Sequence, residues 1–242
     1  MYKRQLLVAA ASHVHLPSVP ASPQAAKKRI VSPLTAAGNP FLNRPKTSAA
    51  ASQETVIAIG ASTGGTEAIL EVVKNFPADT PGVVITQHMP AGFTAMYADR
   101  LSKICKMEVR EAKNGDRIRK GLMLLAPGGL QMRVVPLGNS YAVSVQEGEK
   151  VNGHRPSVDV LFDSVAFHVR EHAIGVLLTG MGADGAAGLL RMRKNGAYTI
   201  GQDKNSCVVY GMPMEAHKIG AVCQQCPLNT IGQTVLARVS LR

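Results

Sequence analysis

A glycine-rich turn at residues 60–65 constrains the fold more than any other stretch of this chain. The preceding run, residues 55–59, is apolar and β-branched, which predicts a buried strand. After the turn, apolar residues recur at three- and four-residue spacing from Ile69 to Phe76, which predicts a helix. The stretch therefore predicts a strand, a tight turn and a helix, which is the repeating unit of α/β folds.

Within the turn, Gly60-x-Ser62-x-Gly64 has the spacing of a nucleophile elbow, which exposes a serine hydroxyl beside a helix N-terminus. Taken alone, a glycine turn without chemistry is the better interpretation, because short motifs often match by chance. A dinucleotide site is disfavoured, because Ser62 replaces the glycine that must approach the pyrophosphate. The next predicted strand also ends in Gln87-His88 without a ribose-binding acid. Other residues must decide between a catalytic and a structural turn.

Strands and helices alternate along the rest of the chain. Predicted strands cover 83–86, 122–126, 174–179 and 198–202, and helical patterns cover 92–105, 158–169, 189–192, 213–219 and 231–239. Two further runs, 132–135 and 141–145, flank Gly138-Asn139 and predict an antiparallel hairpin added to the main sheet. We therefore expect an α/β fold, with a doubly wound, mainly parallel sheet and helices on both faces.

Ser62, His88 and Asp184 each follow a predicted parallel strand, in a turn. Because the carboxyl ends of parallel strands share one edge of a sheet, these side chains can converge. A histidine would take the serine proton and a carboxylate would orient the imidazole. The order Ser, His, Asp differs from that of the α/β-hydrolases, which disfavours that fold. Individually, His88 could be a strand-end residue without a role and Asp184 a turn residue.

Charge is distributed unevenly along the 242 residues. Net charge is +11, but residues 1–53 hold seven of the 27 basic residues and none of the 16 acidic ones. This Ala-, Ser- and Pro-rich stretch predicts a linker or disordered tail, and the catalytic domain is predicted over 54–242. The remainder, with 20 basic and 16 acidic residues, shows no basic helix interleaved with aromatics, which disfavours nucleic-acid binding.

Cysteine usage and hydropathy indicate a cytoplasmic protein. Four cysteines do not make a disulfide framework in a domain of this size. Nowhere are there 18 consecutive apolar residues, so no insertion into a membrane is expected.

Two patterns with metal-ligand spacing are disfavoured. Cys223-x-x-Cys226 lacks a second ligand pair at suitable spacing. His168-x-x-Glu171-His172 matches a zinc-protease motif, but its helix face adjoins Leu161 and Val165, which looks like a sheet-packing surface. We therefore expect neither a metal nor an organic cofactor.

Five sequence blocks together resemble the chemotaxis protein-glutamate methylesterases, the CheB family. They are GASTGGTEAI at 60–69, TQHMPAGFT at 86–94, HRPSVDVLFDSVA at 154–166, LTGMGADGAAG at 178–188 and CVVYGMP at 207–213. The blocks occur in the order of the family, and the similarity runs from about residue 54 to the end of the chain.

The resemblance implies hydrolysis of γ-glutamyl methyl esters on methyl-accepting chemoreceptors, with deamidation of receptor glutamines as a related activity. Matching motifs imply Ser62 as the nucleophile, His88 as the general base and later acid, and Asp184 as the orienting carboxylate. Thr63 and Met181 are implied as site neighbours, Met181 through a backbone N–H that stabilises the oxyanion.

The resemblance also implies partners. Methyl-accepting chemotaxis receptors are the expected substrates, and the chemotaxis kinase array is a further partner that the resemblance allows. Arg155 is a candidate contact for an acidic or amide-rich receptor surface, although its block is equally open to a structural role.

The front of the chain departs from the family pattern. Usual members carry an N-terminal phosphoreceiver domain, whereas residues 1–53 contain no Asp or Glu that could accept a phosphoryl group. The chain is then either a fragment or a protein without a receiver. A non-catalytic chemoreceptor-binding module is the alternative function, and the intact Ser62, His88 and Asp184 argue against it.

Overall fold

The computed structural model describes residues 54–241, so the tail predicted over 1–53 lies outside the described residues. A seven-stranded parallel sheet forms the centre of the described part, and three further strands form a separate antiparallel sheet. The strands are β1 (Val56–Ala61), β2 (Val83–Gln87), β3 (Glu108–Glu111), β4 (Arg117–Ile118), β5 (Leu122–Leu125), β6 (Gln131–Leu137), β7 (Ser140–Gln146), β8 (Ala173–Leu177), β9 (Tyr198–Gln202) and β10 (Gln224–Cys226). The helices are α1 (Gly65–Val73), α2 (Phe93–Ser102), α3 (Val158–His168), α4 (Ala186–Lys194), α5 (Met212–Lys218) and α6 (Leu228–Ser240), with a 3₁₀ turn at Arg170–His172.

The large sheet has the order β10-β9-β8-β1-β2-β5-β3. From β1 the chain moves outward on one side to β5 and β3, then returns to β8 and moves outward on the other side to β10. This reversal makes the sheet doubly wound, as predicted. The boundary between β1 and β8 is the switch point, where α/β sheets open a crevice at the carboxyl ends of their strands.

Both faces of the large sheet are covered, which explains the continuous apolar runs of its strands. Alternate residues of β1 enter opposite cores: Ile57 and Ile59 pack with α1, α2 and α6, whereas Val56 and Ala58 pack with α3, α4 and α5. The predicted α/β class with helices on both faces is confirmed.

Helix α3 lies unusually close to β1. A Cβ atom built on Gly60 would lie 2.2 Å from Cγ1 of Val158 and 3.2 Å from the ring of Phe162. Glycine at position 60 is therefore required by the approach of a helix. This contact fixes the first turn of α3 beside the carboxyl end of β1.

The predicted antiparallel hairpin is confirmed as β6 and β7. It pairs with β4 in its own three-stranded sheet and does not extend the large one. Val134 and Val143 of this hairpin belong to the core that contains α3. The sequence patterns did not predict β4 and β10, because β4 has only two residues and β10 is the largely polar Gln224–Cys226.

Candidate active site

The carboxyl edge of the large sheet brings Ser62, His88 and Asp184 to the switch point. Strands β1 and β2 pair in a register that places Ala61 opposite Gln87. Ser62 and His88 are the residues that directly follow this last pair. Asp184 lies in the loop between β8 and α4, on the other side of β1. The placement of the three residues at one edge agrees with the sequence-based expectation, whereas their catalytic roles stay a prediction.

A hydrogen bond joins two of these residues directly. Nε2 of His88 lies 2.7 Å from Oδ2 of Asp184, and both side chains are nearly inaccessible to solvent. Nε2 therefore carries the ring proton and donates a hydrogen bond to the carboxylate. Within the described part of the chain, the buried Nδ1 of His88 has no hydrogen-bond partner. Nδ1, with its free lone pair, is thus the ring nitrogen that can accept a proton.

The Asp184 carboxylate accepts five hydrogen bonds. Besides His88, its donors are Asn152 Nδ2 at 2.8 Å, Ser157 Oγ at 2.8 Å, and the backbone N–H groups of Val158 at 2.7 Å and Asp159 at 3.2 Å. Burial alone would raise the pKa of this carboxyl group, but the hydrogen bonds outweigh burial and lower the pKa to about 2. Asp184 is therefore ionised and held in one orientation at neutral pH.

Helices α3 and α4 each donate hydrogen bonds from first-turn N–H groups to a carboxylate that belongs to, or closely precedes, the other helix. Asp184, just before α4, accepts the first N–H groups of α3, and Asp159 of α3 accepts the N–H of Gly188 of α4 at 2.6 Å. Each carboxylate lies where the partial positive charge of the other helix is concentrated. Ser157 occupies the N-cap position of α3, but its hydroxyl donates to Asp184 and makes no capping hydrogen bond.

Ser62 is positioned by its backbone. Its N–H donates to the carbonyl of Thr179 at 3.0 Å, and its carbonyl accepts the side-chain amide of Gln87 at 3.0 Å and the N–H of Gly65 at 2.8 Å. The serine is half-buried and precedes the N-terminus of α1 by three residues. The hydroxyl is thus close to a helix end that favours negative charge.

Two backbone N–H groups near Ser62 are available to a ligand. Within residues 54–241, the N–H groups of Thr63 and Met181 donate to no other backbone group. Met181 follows Gly180, and a Cβ atom built on Gly180 would lie 2.8 Å from Cβ of Ser62. Both residues are exposed, Met181 by 72%. The structure therefore places both predicted site neighbours beside the serine.

Sequence reasoning missed a short hairpin, residues 151–154, that contacts the buried pair. Val151 and His154 exchange two backbone hydrogen bonds around Asn152 and Gly153, whose φ angles are 53° and 83°. The ring of His154 stacks on that of His88, with centroids 3.6 Å apart and 10° between the planes. Burial and the neighbouring His88 lower the pKa of His154. The Asn-Gly dipeptide signalled this turn, but nothing in the sequence showed that it faces Asp184.

Arg155 takes part in local structure. Its guanidinium donates to the carbonyl of Gly148 at 2.8 Å, and its own carbonyl accepts the N–H of Gly129 at 3.1 Å. The side chain is exposed, so the predicted substrate contact is sterically open, but it stays a prediction.

Metal clusters and membrane-spanning helices are both absent from residues 54–241. No group of three or more His, Cys, Asp and Glu side chains there is arranged to hold a metal ion. No helix of this part is both long and apolar enough to cross a bilayer.

Comparison with known proteins identifies relatives of this arrangement. The family model described as CheB methylesterase matches residues 57–235. A curated protein-glutamate methylesterase/protein-glutamine glutaminase 2 of Syntrophomonas wolfei is 62% identical over 185 residues, which cover 76% of this chain and 54% of that protein. A protein-glutamate methylesterase/protein-glutamine glutaminase of Escherichia coli O157:H7 is 49% identical over 216 residues, which cover 89% of this chain and 59% of that protein. The chain thus spans little more than half the length of these curated relatives.

A solved structure shows the same fold. The crystal structure of the Thermotoga maritima CheB methylesterase catalytic domain superposes with a TM-score of 0.74 at 32% identity, covering 76% of this chain and 98% of that domain. The family model and this domain match the part of the chain that holds the switch-point site. The resemblance inferred from the five sequence blocks is confirmed, and the chain belongs to the CheB methylesterase family.

Proposed function

We propose that this chain is a chemotaxis protein-glutamate methylesterase that hydrolyses glutamyl methyl esters on methyl-accepting chemoreceptors, with glutamine deamidation as a related activity. The observation that carries the proposal is the hydrogen bond between His88 Nε2 and the ionised Asp184, beside Ser62. The names of the S. wolfei and E. coli relatives, which state both activities, support it.

In the proposed mechanism, Oγ of Ser62 attacks the ester carbonyl carbon while Nδ1 of His88 accepts the hydroxyl proton. Asp184 stabilises the resulting imidazolium through Nε2 and keeps the ring in place. His88 then returns the proton to the leaving methoxide, so that methanol departs and an acyl-enzyme remains. Water, deprotonated by the same nitrogen, hydrolyses the acyl-enzyme and restores the serine and a glutamate side chain.

The tetrahedral intermediate carries negative charge on the former carbonyl oxygen. The N–H groups of Thr63 and Met181 and the N-terminus of α1 are the candidate donors to this oxyanion. Loss of one such donor typically lowers the rate by about a hundredfold to a thousandfold. In deamidation of glutamine the same steps apply, with ammonia as the leaving group.

The exposure of the site suits a protein substrate. Ser62 is half-buried, whereas Thr63 is exposed and Met181 and Val208 are 72% and 71% exposed. Apolar side chains displayed beside a reactive residue are typical of surfaces that contact another protein. A glutamyl side chain projecting from a receptor could therefore reach the serine without entering a deep cavity.

Release of methanol from purified, methylated chemoreceptor tests the proposal. We expect the parent chain to release methanol and Ser62→Ala to lose nearly all release while retaining receptor binding, because the serine is held by its backbone. Equal release by both would exclude Ser62 as the nucleophile. Receptor binding without release by the parent would instead favour the non-catalytic receptor-binding module. Whether the chemotaxis kinase array is a further partner is tested by adding the array to the same binding assay.

A further inference from the structure

Asn152 lies between two carboxylates. Its amide nitrogen donates to Oδ1 of Asp184 at 2.8 Å and to Oδ2 of Asp159 at 2.7 Å. The side chains of Asp184 and Asp159 are only 1% and 10% exposed. A side-chain amide has two hydrogens, so one residue can satisfy both acceptors at once.

This contact relieves a conflict that the fold creates. Asp159 and Asp184 are brought together because each accepts N–H groups from the other's helix. Burial raises the pKa of Asp159, and the charge of Asp184 acts in the same direction, whereas hydrogen bonds from Gly188 and Asn152 oppose the rise. The amide of Asn152 separates the two like charges while holding both.

Backbone geometry adds a second reason for asparagine at this position. Asn152 has a φ of 53°, in the left-handed region that asparagine and glycine tolerate better than other residues. The residue is exposed, and two backbone hydrogen bonds between Val151 and His154 close the hairpin of residues 151–154. A turn residue is needed here in any case, but the turn by itself does not require an amide aimed at Asp184.

We propose that Asn152 is a positioning residue for the reaction, which keeps the Asp184 carboxylate directed at His88 by dividing its two amide hydrogens between Asp184 and Asp159. The inference rests on the proposed function and extends it. Asn152 touches no reacting atom; it acts through Asp184 on the orientation and tautomer of the imidazole.

Two substitutions separate this role from that of the turn. Asn152→Gly keeps a residue that adopts positive φ freely but removes the amide. Asn152→Asp keeps the shape, but a carboxyl group can donate a hydrogen bond only when it is protonated. The titratable and charged groups around it are Asp184, Asp159, His88, His154, Lys150 and, 4.0 Å from Asp159, Arg191. Between two carboxylates, the introduced group should titrate well above the usual range of an aspartate.

The chain offers a matched control. Asn114 is also exposed, also precedes a glycine of positive φ and also makes a side-chain hydrogen bond, from Val145 N–H at 3.0 Å. It lies beside the small sheet and contacts neither carboxylate. Asn114→Gly therefore reports the general cost of replacing the asparagine of an exposed Asn-Gly pair by glycine.

Methanol release is measured for the full chain and the three variants between pH 5.5 and 8. We expect Asn152→Gly to lower kcat by about 10- to 100-fold with KM within about threefold, and Asn114→Gly to leave both within about twofold. The kcat of Asn152→Asp, divided by that of the parent at the same pH, should rise severalfold as pH falls, because protonation of the introduced carboxyl group restores a hydrogen-bond donor. A kcat within twofold of the parent for Asn152→Gly, or a flat ratio for Asn152→Asp, would overturn the inference while the proposed function stands.

A second measurement does not depend on turnover. In ¹⁵N-labelled protein, the proton on His88 Nε2 should resonate at low field in the parent, as expected for a bond to a buried carboxylate. We expect Asn152→Gly to move this resonance or broaden it by faster exchange, and Asn114→Gly to leave it in place. Absence of methanol release by the parent would contradict the proposed function. Independently of turnover, an unchanged resonance in Asn152→Gly would overturn the positioning role.

Discussion

At the scale of residues, the three side chains of the site are held very differently. The backbone positions Ser62, whereas Asp184 is buried and accepts hydrogen bonds from five donors. His88 lies between these extremes, tied to Asp184 through one ring nitrogen and stacked on His154. Substitutions at these positions should therefore differ in their balance of lost activity and lost stability.

Asp184→Asn should impair both properties. The new side chain keeps one oxygen and gains an NH2 group, which must face either the donors of His88 and Val158 or those of Asn152, Ser157 and Asp159, so we expect kcat to fall on the order of 10⁴-fold. The pKa of the parent carboxyl group is lowered from 3.8 to about 2 in the folded state. Because that pKa is depressed, its contribution of about 2 kcal/mol is complete above pH 5 and disappears as pH falls toward 2.

Urea unfolding at pH 7 and pH 3 measures this loss. The difference in unfolding free energy between parent and Asp184→Asn should be larger at pH 7 than at pH 3. Asp163→Asn is the control, since Asp163 is exposed on α3 and only pairs with Arg191 at the surface. A difference that does not change with pH would contradict the pKa argument.

At the scale of elements, the site depends on how α3 meets both β1 and α4. The turn after β1 carries Ser62, and the first turn of α3 packs on Gly60, two residues earlier. The same turn of α3 supplies N–H groups to Asp184, which precedes α4. One close approach between a strand and a helix thus sets the distance between the serine and the carboxylate.

Gly60→Ala tests that approach. Its methyl group would lie 2.2 Å from Val158, so α3 must shift, and we expect a loss of about 1–3 kcal/mol in unfolding free energy. Gly148→Ala is the control, because its methyl group would come no closer than 3.3 Å to any neighbour, the Cγ atom of the buried Gln131 side chain. Equal urea midpoints for the two variants would show that α3 does not constrain β1.

The elements were predictable where apolar periodicity was strong, and the contacts of the site were not. The runs that became β1, β2 and β8 precede the turns in which Ser62, His88 and Asp184 were predicted to lie. By contrast, the contact of Asn152 with Asp184 joins residues 32 positions apart, and it depends on how α3 and α4 pack. Local patterns along the sequence carry no information on such a contact.

At the scale of the whole molecule, the described residues contain two complete cores. One core lies between the large sheet and α1, α2 and α6, and the other is shared by α3, α4, α5 and the small sheet. Their buried residues run from Val56 to Val235, nearly the range of the family match. Both cores thus lie almost entirely within the part of the chain that the family model matches.

Deletion of residues 1–53 should therefore leave stability almost unchanged. We expect the thermal unfolding midpoint of residues 54–242 to lie within about 2 °C of that of the full chain, less than about 1 kcal/mol for a domain of this size. Calorimetry of the two proteins at equal concentration and ionic strength measures this. A fall of more than about 5 °C would show that the tail contributes to the fold.

The unequal anchoring of Ser62 and Asp184 has a consequence for how such a chain would drift if selection for hydrolysis were relaxed. Within residues 54–241, replacing the serine breaks no side-chain hydrogen bond. Replacing the aspartate, by contrast, leaves the first N–H groups of α3 and the Ser157 hydroxyl without their acceptor. Descendants that had lost turnover would therefore keep the aspartate long after the serine had varied. On the proposed mechanism, a surviving aspartate at this position records ancestry, whereas a surviving serine indicates continued selection for hydrolysis.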